Sequence, residues 1–156
     1  MQPIRLGVIF DQKLKVGGGF QQSLNAALIT LKLPTEVANI FFYTTLEDNI
    51  EILLQKGIKA KLIKISIFGK LLSVLRRKLY SPYIRRMLRV WSKFGPLEKI
   101  LIRDEIDLVY FLSPSGLARD LEQTNYIVTV WDLCHRDDPE FPEVRWDREF
   151  ERRDEL

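Results

Sequence analysis

The sequence has very few residues that form disulfides or bind metals, with one cysteine, Cys134, and one histidine, His135, among 156 residues. A single cysteine excludes an internal disulfide and is typical of proteins from a reducing compartment. Zinc sites need a cluster of cysteine or histidine ligands, so none is expected. No apolar run is long enough for a signal peptide or a membrane span. We therefore expect a cytoplasmic protein that holds no metal.

Short apolar runs alternate along the chain with segments whose apolar residues recur at helical spacing. This alternation predicts an α/β fold in one domain, residues 1–156, with a mostly parallel sheet and helices on both faces. Gly57 is expected to cap the second helix, and alternating lysines predict that the third strand lies at an exposed edge. The predicted strands cover residues 4–10, 39–45, 60–65, 107–112 and 126–131.

The last predicted strand is apolar, rich in β-branched residues and expected to be buried. Asp132 and His135 follow it directly, and Ser113 follows the fourth strand in the same way. Ligands of parallel α/β sheets bind beyond the carboxyl ends of the strands. Asp132 and His135 could therefore bind a sugar hydroxyl or phosphate, or act as acid and base. Alternatively, Asp132 caps the turn and His135 has a structural role.

Three glycines, Gly17, Gly18 and Gly19, precede the first predicted helix. Backbone N–H groups at a helix N-terminus form a natural binding site for phosphate or another anion. The spacing is not that of a dinucleotide-binding fingerprint. No third glycine lies at the distance that this fingerprint requires, and six residues separate the glycine loop from the end of the first strand. The alternative is a flexible turn without a ligand.

The middle of the chain is strongly basic, and Glu98 is the lone acid between residues 70 and 103. From residue 67 to residue 93 the pattern is helical but broken at Pro82, and its basic amphipathic part, residues 70–93, could lie on an anionic membrane surface. The alternative is that its apolar stripe belongs to the core and its charges are simply solvated. Nucleic acid is not expected as a partner, since the aromatic residues of this segment have a packing pattern.

Two segments together resemble a known family. The Gly-Gly-Gly-Phe-Gln loop at 17–21, paired with Thr-Val-Trp-Asp-Leu-Cys-His-Arg at 129–136 and Pro-Glu-Phe-Pro-Glu-Val at 139–144, resembles the amino-terminal half of family-4 (group 1) retaining glycosyltransferases. The resemblance implies a GT-B fold, in which two Rossmann-like domains face a cleft. The amino-terminal domain of that family mainly holds the acceptor, which is a sugar or a lipid-linked glycan.

The resemblance also implies roles for individual residues. It assigns Asp132 to the His-Asp dipeptide that follows the fifth strand, with Trp131 in the place of the histidine. Trp131 cannot transfer a proton but can stack on a sugar ring, and His135 is expected to supply the imidazole. The resemblance places in the cleft Gly17, Gly18, Gly19, Phe20 and Gln21.

In this family the second domain binds most of the nucleotide-sugar, which is a substrate, and no cofactor is expected. We expect residues 1–156 to be the amino-terminal, acceptor-side domain of this family, truncated at its carboxy-terminus and without the second domain. We therefore expect the isolated chain to be inactive, because retaining transfer requires groups placed on both sides of the reacting sugar. A carboxy-terminal domain or a complementary chain would be the missing partner.

Overall fold

A computed structural model describes residues 2–14, 18–64 and 94–130 of the chain. These residues form a five-stranded, fully parallel sheet in the order β3-β2-β1-β4-β5. The Rossmann-like α/β architecture expected from the sequence is confirmed. The strands are β1 Ile4–Phe10, β2 Ala38–Thr44, β3 Ala60–Leu62, β4 Leu108–Phe111 and β5 Asn125–Val128. The helices are α1 Gly18–Thr30, α2 Asp48–Gln55 and α3 Pro96–Arg103, with a 3₁₀ helix over Gly116–Asp120.

Helices cover both faces of the sheet because side chains of a strand alternate between them. On one face, Val8 and Phe10 of β1 pack with α1 and α2. On the other face, Ile9 of β1 packs with α3, through Leu97 and Leu101. Val8 and Ile9 are both fully buried, so β1 is the centre of both hydrophobic layers.

The two edge strands differ in how well the sequence predicted them. The lysines of β3 correctly indicated an edge, and the side chain of Lys61 is 52% exposed. β5 was expected to be buried, and this was wrong, because Tyr126 and Ile127 are 47% and 52% exposed. Among the residues that the structure describes, β5 pairs with β4 alone, and an apolar β-branched run does not by itself reveal how many neighbours a strand has.

The basic segment, residues 70–93, lies outside the described residues. In the part of the chain that the structure describes, no helix combines the length and apolar character needed to cross a membrane.

Two helices end in the same way, with one residue in the left-handed region. Gly57, at φ 77°, follows α2, where the amide of Ile58 donates to Leu53 O and that of Gly57 to Leu54 O. This is the Schellman pattern of a helix C-terminus, and the predicted glycine cap is confirmed. Glu105, at φ 53°, occupies the equivalent position after α3. A side chain is unfavourable there because its Cβ crowds the following carbonyl oxygen.

We expect opposite effects from exchanging the residue type at these two caps. Gly57→Ala should lower the free energy of unfolding by about 1 kcal/mol, although no atom lies within 4 Å of the added Cβ. Glu105→Gly should raise it by up to about 1 kcal/mol. Urea unfolding measures both changes. Glu51→Gly, at an exposed position within α2, is the control and should destabilise by about 1 kcal/mol; destabilisation by Glu105→Gly would contradict the cap assignment.

Candidate functional site

The strand order reverses between β1 and β4. From β1 the chain proceeds to β2 and β3 on one side, then returns to place β4 and β5 on the other. Such a topological switch point leaves a crevice beyond the carboxyl ends of the two strands, where ligands of open α/β sheets bind. The last paired residues on this side are Ile9 and Phe111. The residues just after them therefore form the floor of the candidate site.

Asp11 and Ser113 meet across this crevice. Ser113 Oγ donates a hydrogen bond of 2.5 Å to Asp11 Oδ1, and hydrogen bonding with the Ser115 side chain also lowers the pKa of this carboxyl group. The Ser115 hydroxyl in turn accepts from the amide of Leu117, where it caps the 3₁₀ helix. Ser113 and Ser115 are only 2% and 3% exposed. The Ser113 hydroxyl proton is thus directed at Asp11, which is half-buried and the most accessible of the three residues.

Burial of Asp11 raises the pKa of its carboxyl group above the usual 3.8. The hydrogen bonds from Ser113 and Ser115 act in the opposite direction, but desolvation has the larger effect. A raised pKa in a crevice at the end of a central strand is typical of a functional carboxylate. Among the described residues of this edge, Asp11 therefore has an environment that is unusual for an aspartate.

The loop after Asp11 is held in place by Asn49, a buried residue of α2. Asn49 Oδ1 accepts from the amide of Leu14 at 3.1 Å, and its Nδ2 donates to Gln12 O at 2.8 Å. Nδ2 also donates to Thr44 Oγ1, at the end of β2. One amide side chain therefore sets the path of residues 12–14 as they leave the sheet.

The first turns of α1 lie beside the same crevice. Ser23 Oγ donates to Leu112 O at 3.2 Å, which ties α1 to the residue immediately before Ser113. Gly18 begins the helix, Gly19 and Phe20 are half-buried, and Gln21 is exposed. The first N–H groups of a helix lack intrahelical partners, so this end presents donors close to the switch point.

The structure places part of the predicted site and leaves part of it undescribed. Ser113 lies at the switch point, and Gly18, Gly19, Phe20 and Gln21 form the start of α1. β5 ends on the same edge as β1 because the strands are parallel, and Thr129 Oγ1 donates to the hydroxyl of Tyr110 there. The predicted residues that lie outside the described ranges are Gly17, Trp131, Asp132 and His135.

Sequence reasoning missed Asp11, although a usable signal was present. Asp11 is an acid directly after a buried strand, the same pattern that singled out Asp132. What the sequence did not reveal is that β1 and β4 are neighbours. Only this pairing brings Asp11 to Ser113, a residue 102 positions away in the chain.

No protein-family model, curated protein or solved structure was found to match this chain. Within the described ranges, no three histidine, cysteine, aspartate or glutamate side chains are grouped to hold a metal ion. The site must therefore be interpreted from its own geometry.

We expect Asn49→Asp to disrupt the loop, since a carboxylate cannot donate to Gln12 O or Thr44 Oγ1 and its charge would be buried. The loss should be about 2–4 kcal/mol in the free energy of unfolding, measured by urea denaturation. Amide hydrogen exchange at Leu14 should also become faster. Asn25→Asp, at an exposed position of α1, is the matched control and should change stability by less than about 0.5 kcal/mol. Equal losses in the two variants would contradict the role given to Asn49.

Asp11 should make folding less favourable as the pH rises. Because its folded pKa lies above 3.8, the native state retains a proton that the unfolded state has already released. Stability is thus lost as the pH increases from about 3.8 through the folded pKa. The stability of Asp11→Asn relative to the unmodified chain should increase over the same range.

Urea unfolding at a series of pH values measures this difference. Glu36→Gln removes an exposed carboxylate just before β2, at the amino-terminal ends of the strands and away from Asp11. It is the control for the Asp11→Asn comparison and should show no such trend. A difference between Asp11→Asn and the unmodified chain that stayed constant with pH would show that burial of Asp11 does not disfavour its charge.

Proposed function

We propose that this chain forms the acceptor-binding wall of a retaining glycosyltransferase, which moves a sugar from a nucleotide-sugar to a glycan or lipid-linked acceptor. One observation carries the proposal beyond the sequence resemblance. The parallel sheet brings the start of α1, the Asp11–Ser113 pair and the end of β5 to a single edge. These are the positions at which a GT-B domain of this family would face its cleft.

The groups at this edge suit the diphosphate of the donor and the hydroxyl groups of a sugar. N–H groups at the start of α1 would attract the phosphates of the donor, because a helix N-terminus carries a partial positive charge. The Asp11 carboxylate would accept hydrogen bonds from sugar hydroxyls. Phe20 and Gln21, on the first turn of α1, would lie between these two regions.

In the proposed reaction, the anomeric carbon–oxygen bond of the donor breaks and the nucleoside diphosphate leaves with its electron pair. The acceptor hydroxyl forms the new bond, and its proton passes to an oxygen of the leaving diphosphate. Asp132 and His135 are the residues that we propose for interaction with the reacting sugar, and Trp131 for stacking on a sugar ring. The second wall of the cleft would come from a carboxy-terminal domain or a complementary chain.

A glycan array tests this proposal with the 156-residue chain itself. We expect the fluorescently labelled chain to be retained by a subset of free and polyprenyl-linked glycans. Gln21→Ala should weaken that binding by about fivefold, the value of one neutral hydrogen bond. Gln22→Ala changes the adjacent exposed residue and is the matched control, with unchanged binding expected.

Retention by no glycan on the array would contradict the proposal. Vesicles of phosphatidylcholine and phosphatidylglycerol provide the comparison with the alternative, a non-catalytic module that binds anionic surfaces through residues 70–93. Salt-sensitive binding to these vesicles, with no binding to any glycan, would favour that module over the transferase.

A further inference from the structure

Asp11 has no role in the resemblance, yet it occupies the centre of the switch point. It follows the last residue of β1, the strand that is buried on both faces. Ser113, on the adjacent strand connection, is almost completely buried and bonds to it. A half-buried carboxylate held from two directions in this way has a fixed orientation in the crevice.

The hydrogen bonds already made by Asp11 determine which kind of ligand group it can still bind. A carboxylate has about four acceptor positions; Ser113 Oγ occupies one of them, and Ser115 and the backbone of Asp11 itself are further hydrogen-bonding partners. Ser113 donates its hydroxyl proton to Asp11 and therefore cannot donate it to another acceptor. The remaining hydrogen-bonding positions of Asp11 are therefore acceptor positions. They suit a ligand that donates from a hydroxyl group.

The same arrangement is unfavourable for a phosphate. Phosphate sites provide N–H groups, lysine or arginine, whereas Asp11 presents a negative charge. In the described ranges of the chain, no lysine or arginine forms an ion pair with Asp11, and the residues that bond to it are neutral. Repulsion between like charges is strong where burial lowers the local dielectric constant.

We propose that Asp11 binds a hydroxyl group of a neutral sugar in the crevice between β1 and β4 and excludes phosphate from direct contact with itself and Ser113. Ser113 acts as a positioning residue, because it orients the carboxylate without being exposed to the ligand. Identifying this sugar as the acceptor rests on the proposed function, whereas hydroxyl binding at Asp11 does not.

Nuclear magnetic resonance of the isotopically labelled 156-residue chain tests the proposal. Separate titrations use methyl α-glucoside, methyl α-galactoside, methyl α-mannoside and inorganic phosphate. We expect at least one glycoside to shift the backbone amide resonances of Asp11 and Ser113. Inorganic phosphate should leave both resonances in place.

Two variants separate the contribution of charge from that of shape. Asp11→Asn should reduce the glycoside affinity by at least about tenfold, as expected for loss of a charged hydrogen-bond acceptor. It should also allow phosphate to shift the Ser113 resonance, because the repelling charge is gone. Ser113→Ala should weaken glycoside binding less and should not admit phosphate. Glu36→Gln removes the same charge from the amino-terminal ends of the strands and should match the unmodified chain.

Three outcomes would overturn the inference: a phosphate-induced shift of Asp11 and Ser113 in the unmodified chain, an unchanged glycoside affinity in Asp11→Asn, or no shift with any of the glycosides. A failure of the inference about Asp11 can be distinguished from a failure of the proposed function. Glycan-array binding that survives Asp11→Asn would refute the role of Asp11 alone. Glycoside binding at Asp11 without any array binding would refute the transferase alone.

Discussion

The pairing of β1 with strands on both sides is the constraint on which the rest of the structure depends. β1 pairs with β2 along its whole length and with β4 from Leu6 to Ile9. Both of its faces are covered, so each hydrophobic layer includes it. Burial of Val8 and Ile9 stabilises this position, at about 1.5–3 kcal/mol for each side chain. The end of β1 is consequently the point where the two halves of the sheet meet.

Buried polar groups hold the elements around this strand in register. Glu98 of α3 is fully buried, and its Oε1 accepts from the backbone amides of residues 122, 123 and 124 at 2.9, 2.6 and 3.0 Å. These bonds attach α3 to the turn before β5. A buried carboxylate is costly unless it is hydrogen-bonded, so the three donors are what make this position tolerable.

A second carboxylate, Asp104, connects the end of α3 to the sheet. Although burial opposes it, hydrogen bonds from Lys61, Tyr43 and Arg103 lower the pKa of Asp104. Burial, together with the hydrogen bond to Asp104, raises the pKa of Tyr43. Asp11 differs from Asp104 because its hydrogen-bonding partners are neutral, and they offset only part of the cost of desolvation. Proteins retain such unfavourable groups mainly where a ligand uses them.

The sequence alone determined the local features of this protein. Hydrophobic periodicity gave the extent of β1. A glycine just after the second helix indicated its cap at Gly57, and alternating lysines indicated that β3 lies at an edge. Each of these signals depends on residues a few positions apart. The parallel α/β class also followed, since the order of strands and helices constrains how they connect.

Only the tertiary structure decided which strands are neighbours, and with it the site. The exposure of β5 and the contact between Asp11 and Ser113 both depend on the order β3-β2-β1-β4-β5. The residues that the sequence did select, such as Ser113 and Gln21, were recognised by their place at the end of a strand or beside a glycine loop. Asp11 was not recognised because its environment is made by residues about a hundred positions away, and local sequence patterns carry no information on such distant pairing.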